Sequence, residues 1–154
     1  MIRTTNRIPR YFPVTGVLIG ISGGLVMLAM AATVLGENLQ HTLVLSLFAT
    51  AGALISGAMA APLFGRYRWT GWLLAGLGAL IATSLGAGIG GLLYFAFGEL
   101  LFGVGEAVDV GLLEAAALSV ALVLAAVFST LVGLFWLAIM TLIHLVTRHL
   151  RNPA

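Results

Sequence analysis

Apolar residues dominate long stretches of this chain, and short polar segments separate them. Residues 14–35, 42–64 and 71–98 contain no Asp, Glu, Lys, Arg or His, and residues 118–146 contain only His144, close to their end. A helix needs about 20 apolar residues to cross a hydrocarbon core about 30 Å thick. Each run meets that length, and none alternates polar and apolar positions as a barrel strand does. In lipid the backbone must satisfy its own hydrogen bonds, so the runs predict helices. The expected fold is an all-α integral membrane protein, a four-transmembrane-helix bundle forming a single domain over residues 1–154. Its spans are placed at about 14–35, 42–64, 71–98 and 115–146, by the same length argument.

The connections differ in character. Residues 36–41 (GENLQH) and 65–70 (GRYRWT) are short and polar. The third, about residues 99–114, mixes Leu100, Leu101 and Phe102 with Glu99, Glu106 and Asp109, a pattern that reads as an interfacial segment. The alternative is a third helix that continues, tilted, to about Phe102.

Charge then orients the bundle. The arginines are Arg3, Arg7 and Arg10 before the first span, Arg66 and Arg68 between the second and third, and Arg148 and Arg151 after the fourth. The acids are Glu37 between the first and second spans, and Glu99, Glu106, Asp109 and Glu114 between the third and fourth. With four spans, every positive charge falls on one face and every acid on the other. Basic connections stay in the cytoplasm, so both termini are expected inside. Arg3, Arg7 and Arg10, an apolar run and Ala29-Met30-Ala31 also have the outline of a cleavable signal peptide. The run continues to Leu35, which favours an uncleaved first helix.

Composition agrees. Apolar residues make up 61 % of the chain and charged residues 8 %, where a soluble domain carries about 25 % charged. The net charge of +2 does not imply nucleic acid, because the arginines form no stripe and no aromatic stacking motif accompanies them. The absence of cysteine excludes disulfides, thiolate metal sites and cysteine nucleophiles. Lysine is absent too, while alanine, glycine and arginine are plentiful. That usage points to a bacterial inner membrane.

Small residues recur every four positions. The stripes are Gly16, Gly20 and Gly24 in the first span, Ala49, Ala53, Gly57 and Ala61 in the second, and Gly78, Ala82, Gly86 and Gly90 in the third. The fourth span carries Ala117, Ala121, Ala125, Ser129 and Gly133. Such spacing keeps residues near one helix face. Small residues there let backbones approach, which in lipid is a main source of helix association. The stripes predict small-xxx-small packing, within the chain or against another chain.

Chemical constellations are scarce. No Asp, Glu, Lys or Arg lies near mid-span, which weighs against proton pumps, voltage sensors and intramembrane proteases. His41 and His144 fall at opposite faces of the bilayer and cannot be the two axial ligands of one haem; ordinary interfacial histidines are the expectation. Glu99, Glu106, Asp109 and Glu114 match no calcium-loop spacing and read as a solvated outer loop, with contact to a basic partner or a cation as the alternative. Residues 86–91 (GAGIGG) lie inside a span and are no dinucleotide fingerprint. No catalytic, cofactor or metal residues are assigned. The expected role is a small non-enzymatic accessory or assembly subunit of a membrane complex, bound to the bilayer and to a membrane-protein partner or to itself. The alternative is a small transporter, channel or holin-like pore former that oligomerises.

Overall fold

The computed structural model describes residues 11–31, 39–103 and 111–151. It is all-helical among them: α1 (Tyr11–Met30), α2 (Leu39–Ala60), a short 3-10 turn (Ala61–Leu63), α3 (Arg68–Phe102), α4 (Leu112–Val127) and α5 (Thr130–Arg151). Four stretches are long and apolar enough to cross a membrane, namely Tyr11–Met30, Leu39–Leu63, Arg68–Gly98 and Leu131–Arg151. The protein is a multi-pass membrane bundle. Helices α1, α2 and α3 pack in chain order, α4 runs against α3, and α5 returns to close on α1.

The distribution of side chains follows from the solvent. Large apolar residues such as Ile21 and Leu25 on α1, Leu47 and Met59 on α2, and Leu73 and Leu77 on α3 point outward. The interior is built largely from small residues. Ala53, Ala60, Ala75, Ala79 and Ala82 are buried, joined by Ile19, Phe64, Trp136 and Met140. Lipid removes the usual penalty for exposing leucine, so the interior can be given to residues that let helices close.

Helices α2 and α3 approach main chain to main chain. A Cβ added at Gly52 would run into the Gly86 carbonyl oxygen and lie 2.6 Å from the Gly90 nitrogen. At Gly86 it would lie 2.9 Å from Ser56 Oγ and 3.2 Å from Ala53 Cα, and at Gly90 2.9 Å from the Phe48 carbonyl oxygen. The same seam is tied by Ser56, whose hydroxyl donates to the Ala82 carbonyl at 2.8 Å. Trp136 Nε1 donates to Thr83 Oγ1 at 2.9 Å and ties α5 to α3. Interhelical bonds of this kind contribute about 0.6 kcal/mol on average.

Two boundaries differ most from the sequence expectation. Helix α3 does not stop at Gly98 but runs to Phe102, the end given by the alternative sequence reading, so Glu99 lies within its last turns. Aromatic packing on α2 accounts for the extension: Phe48 meets Tyr94 and Phe102 edge-on, with ring centroids 6.1 and 5.9 Å apart. Gln40 adds a side-chain bond to the Phe102 carbonyl at 3.4 Å. The second difference is in the last apolar run, which is two helices and extends to Arg151 rather than ending at 146. It breaks at Phe128 and Ser129. There the Ser129 amide bonds the Ala126 carbonyl at 3.0 Å, and its hydroxyl donates to the same oxygen. A serine that satisfies carbonyls locally competes with the helix ladder. Gly133 leaves the room that the Val127 carbonyl occupies at the break.

Candidate functional site

Polar side chains gather at one end of the bundle, where α1 begins, α2 turns into α3 and α5 finishes. This arginine end is assembled from a turn and a helix face. Gly65 has φ of +72°, a left-handed conformation that suits glycine. A Cβ there would also lie 2.8 Å from the Arg148 nitrogen, so the turn sits directly on the α5 backbone. Helix α5 supplies His144, Thr147 and Arg151, spaced three and four apart and therefore on one face.

Each of these makes a specific contact. The Gly65 N–H donates to His144 Nδ1 at 3.2 Å. The imidazole stacks at a tilt on Trp72, ring centroids 4.5 Å apart. Thr15 donates its hydroxyl proton to the Tyr11 carbonyl at 2.7 Å, leaving Thr147 as donor to Thr15 Oγ1 at 2.9 Å. Arg151 Nη1 donates to the Phe64 carbonyl at 2.6 Å and the Pro62 carbonyl at 3.4 Å. Its Nη2 donates to the Tyr11 hydroxyl at 3.1 Å, and its Cζ lies 4.4 Å over the Tyr11 ring. Arg148 lies 4.1 Å over Tyr67. One residue of α5 thus fastens α1 and the α2–α3 turn together.

His144 is 1 % exposed, and its Nε2 is buried with no partner among the described residues. Because Nδ1 accepts from Gly65, it carries no proton, and the neutral ring must hold its proton on Nε2. A protonated Nε2 is no metal or haem ligand. His41 stands at the start of α2 and His144 beside the turn that follows it, at opposite ends of the bundle, while His149 is exposed. His144 was expected to be an ordinary interfacial histidine; its burial and its role at the turn were not. The spacing of His144, Thr147 and Arg151 was the signal available for it.

Comparison with protein-family models, with curated proteins and with solved structures finds no match.

The remaining candidates separate into groups. Gly16 lies against Ala58, Gly20 against Leu54 and Gly24 against Thr50, all on α2, and Gly57 meets Ile19 in return. Gly78 faces Leu63 and Phe64, and buried Ala53 lies beside Gly86. Ala117, Ala121 and Ala125 are different: they lie on the exposed side of α4 and do not pack into the bundle. Ser119 and Val120 meet α3 instead, at Gly91 and Gly88. The helix rotation is set by its most buried residues, Ala115, Ala126 and Val127, which the four-residue stripe does not include.

Of the acids, Glu106 and Asp109 lie outside the described residues. Glu114 caps its own helix by accepting from the Gly111 N–H at 3.3 Å, the reciprocal half of an N-terminal box. Among the described residues no group of three His, Cys, Asp or Glu could hold a metal. A cavity of about 50 Å³ lies in mid-bundle, lined by residues including Ile19, Val26, Thr83, Trp136 and Met140. Thr83 is bonded to Trp136, and Ser22, also on its wall, donates to the Ile19 carbonyl at 2.7 Å.

Proposed function

We propose that this chain is a non-enzymatic bacterial inner-membrane protein with both termini in the cytoplasm, acting by helix packing as an accessory or assembly subunit of a membrane complex. The observation that carries the reading is the outward face of α4. Ala117, Ala121 and Ala125 stand there at four-residue spacing, exposed beside Leu118 and Leu122. Small residues on a lipid-facing helix bury little apolar surface and leave a groove that a second helix can enter. No ionisable residue stands near mid-membrane to carry protons or ions, which supports a role by contact over one in transport.

Extraction of the tagged chain from native membranes in a mild detergent tests this. Unlike membrane proteins at fixed stoichiometry are expected to accompany it. Changing Ala121 and Ala125 together to Leu should release them while leaving the thermal stability of the purified chain unchanged, because neither position packs on its own bundle. Self-association with solute flux in vesicles would instead establish the pore-forming alternative.

Orientation is tested separately. Fusions at Ala154 are expected to report the cytoplasm, and fusions in the Glu37 connection the outside, because all the arginines and all the acids separate in the four-span arrangement. Periplasmic reporter activity at Ala154 would reverse the assignment.

A further inference from the structure

We propose that the arginine end carries a binding site for the phosphodiester headgroup of an anionic phospholipid, built on Arg66 with Arg151 beside it. The inference rests on the membrane reading of the chain and not on its orientation or its partners.

The starting point is a convergence of like charges. Arg66 Nε donates to the Pro62 carbonyl at 3.2 Å, and Arg151 Nη1 approaches the same oxygen at 3.4 Å. Two guanidinium groups are thereby gathered around one backbone acceptor. No Asp or Glu lies in the segments that form this end: Glu37, Glu106 and Asp109 fall in the other two connections, Glu99 in the last turns of α3 and Glu114 in the first turn of α4. A neutral carbonyl does not compensate two positive charges, and the pair calls for an anion.

The two arginines have different capacity to take one. Arg151 is half-buried, and both of its terminal nitrogens are engaged by Phe64, Pro62 and Tyr11. Arg66 is exposed, and among the described residues only its Nε is engaged. Its two terminal amino groups therefore remain as an open fork, the geometry that grips a phosphate through two parallel bonds. Three of the five N–H groups of Arg151 are already engaged, so its main addition is field. Exposed Arg68, two residues on, adds a further charge at the same turn.

The surroundings select a lipid over a soluble phosphate. Trp69 is 74 % exposed, and Tyr67 and Trp72 are also open, all on the turn and first residues of α3. Amphipathic rings at a helix end sit at headgroup depth. Just beyond them Leu73 and Leu77 present an apolar face to the acyl chains. An anionic phospholipid satisfies the fork and the rings together, whereas a free phosphate meets only the fork.

The test uses the full chain purified in a neutral detergent. Lipid binding is counted by native mass spectrometry, and thermal stability is followed, with phosphatidylglycerol, phosphatidylcholine or sn-glycerol phosphate added. Phosphatidylglycerol is expected to bind and stabilise more than phosphatidylcholine, an advantage that shrinks as salt is raised. Arg66→Gln should weaken phosphatidylglycerol binding about tenfold, the loss expected for a charged hydrogen-bonding pair. Arg66→Lys keeps the charge without the fork and should fall between the two, which keeps the test informative if the glutamine variant is misfolded. Equal binding of the two lipids, or wild-type binding by both variants, would overturn the proposal. So would full stabilisation by sn-glycerol phosphate, which would assign the fork to a soluble ligand.

Discussion

Gly86→Leu is expected to destabilise the bundle far more than Leu80→Ala or Leu85→Ala, although the leucine changes remove more side-chain atoms from apolar contact. The reason lies in what stands opposite each residue. Leu80 and Leu85 are 39 % and 41 % exposed and face the lipid side of α3. Their truncation exchanges side-chain methylenes for lipid or detergent methylenes, and changes at such positions stay within about 0.5 kcal/mol. Gly86 faces the α2 backbone at Ala53. The Cβ of any leucine there would lie 2.9 Å from Ser56 Oγ and 3.2 Å from Ala53 Cα, so α2 and α3 are expected to separate along the seam they share. Overpacking of a close interface costs about 1–3 kcal/mol, and the upper end is expected because two of the three nearest opposing atoms are Ala53 main chain. The separation would also strain the Ser56–Ala82 bond. Thermal melts of the purified variants decide it; equal midpoints for all three would mean that the α2–α3 seam is not close-packed.

The contrast also marks what the sequence could and could not reveal. The four membrane-crossing helices were legible because their signal is compositional: a run without charge, long enough for the bilayer, needs no knowledge of its neighbours. Boundaries were less so. Glu99 suits the start of a connection as well as the end of a longer helix, and α3 passes through it because Phe48 and Gln40 on another helix hold the Phe102 turn in place. The break at Phe128 and Ser129 lay inside an unbroken apolar run. It depends on local bonds of Ser129 to Ala126 that hydropathy does not register.

Helix rotation was the least legible property. The glycine stripe of α1 does lie against α2, but Ala117, Ala121 and Ala125 point away from the bundle. A small-residue stripe identifies a face without naming what the face meets. For α4 the rotation is decided by contacts around Ala115, Ala126 and Val127 that form only once α3 and α5 are in place. The arginine end was half-read. The sequence offers Arg148 and Arg151 as topological charges, a reading that concerns orientation and not the bundle's internal contacts. Their use as structural donors depends on carbonyls that the Ala61–Leu63 turn exposes, a turn no periodicity announces.

Arg151→Lys is the substitution that separates these two uses of the same residue. Lysine preserves the charge that orients the helix, so insertion and topology should be unchanged. It cannot reproduce the planar fork. Arg151 donates simultaneously to Phe64, to Pro62 and to the Tyr11 hydroxyl while lying over the Tyr11 ring, and an ammonium on a flexible stem holds fewer of these at once. Hydrogen bonds from charged groups contribute about 1.5–3 kcal/mol. Partial exposure and the bonds lysine retains bring the expected loss to about 2 kcal/mol. The loss should be local first, because the fork joins the last turn of α5 to the start of α1 and to the α2–α3 turn, whereas the seam at Gly52 is made by α2 and α3 residues that Arg151 does not touch. The chain has no cysteine of its own, so a single Thr147→Cys reports on that end alone. Thr147 is fully buried, and a thiol there should be alkylated slowly in the parent and markedly faster once Arg151 is lysine. An unchanged alkylation rate at Thr147→Cys would show that Arg151 serves orientation only, and that the contacts of His144 with Gly65 and Trp72 hold the turn on α5 without it.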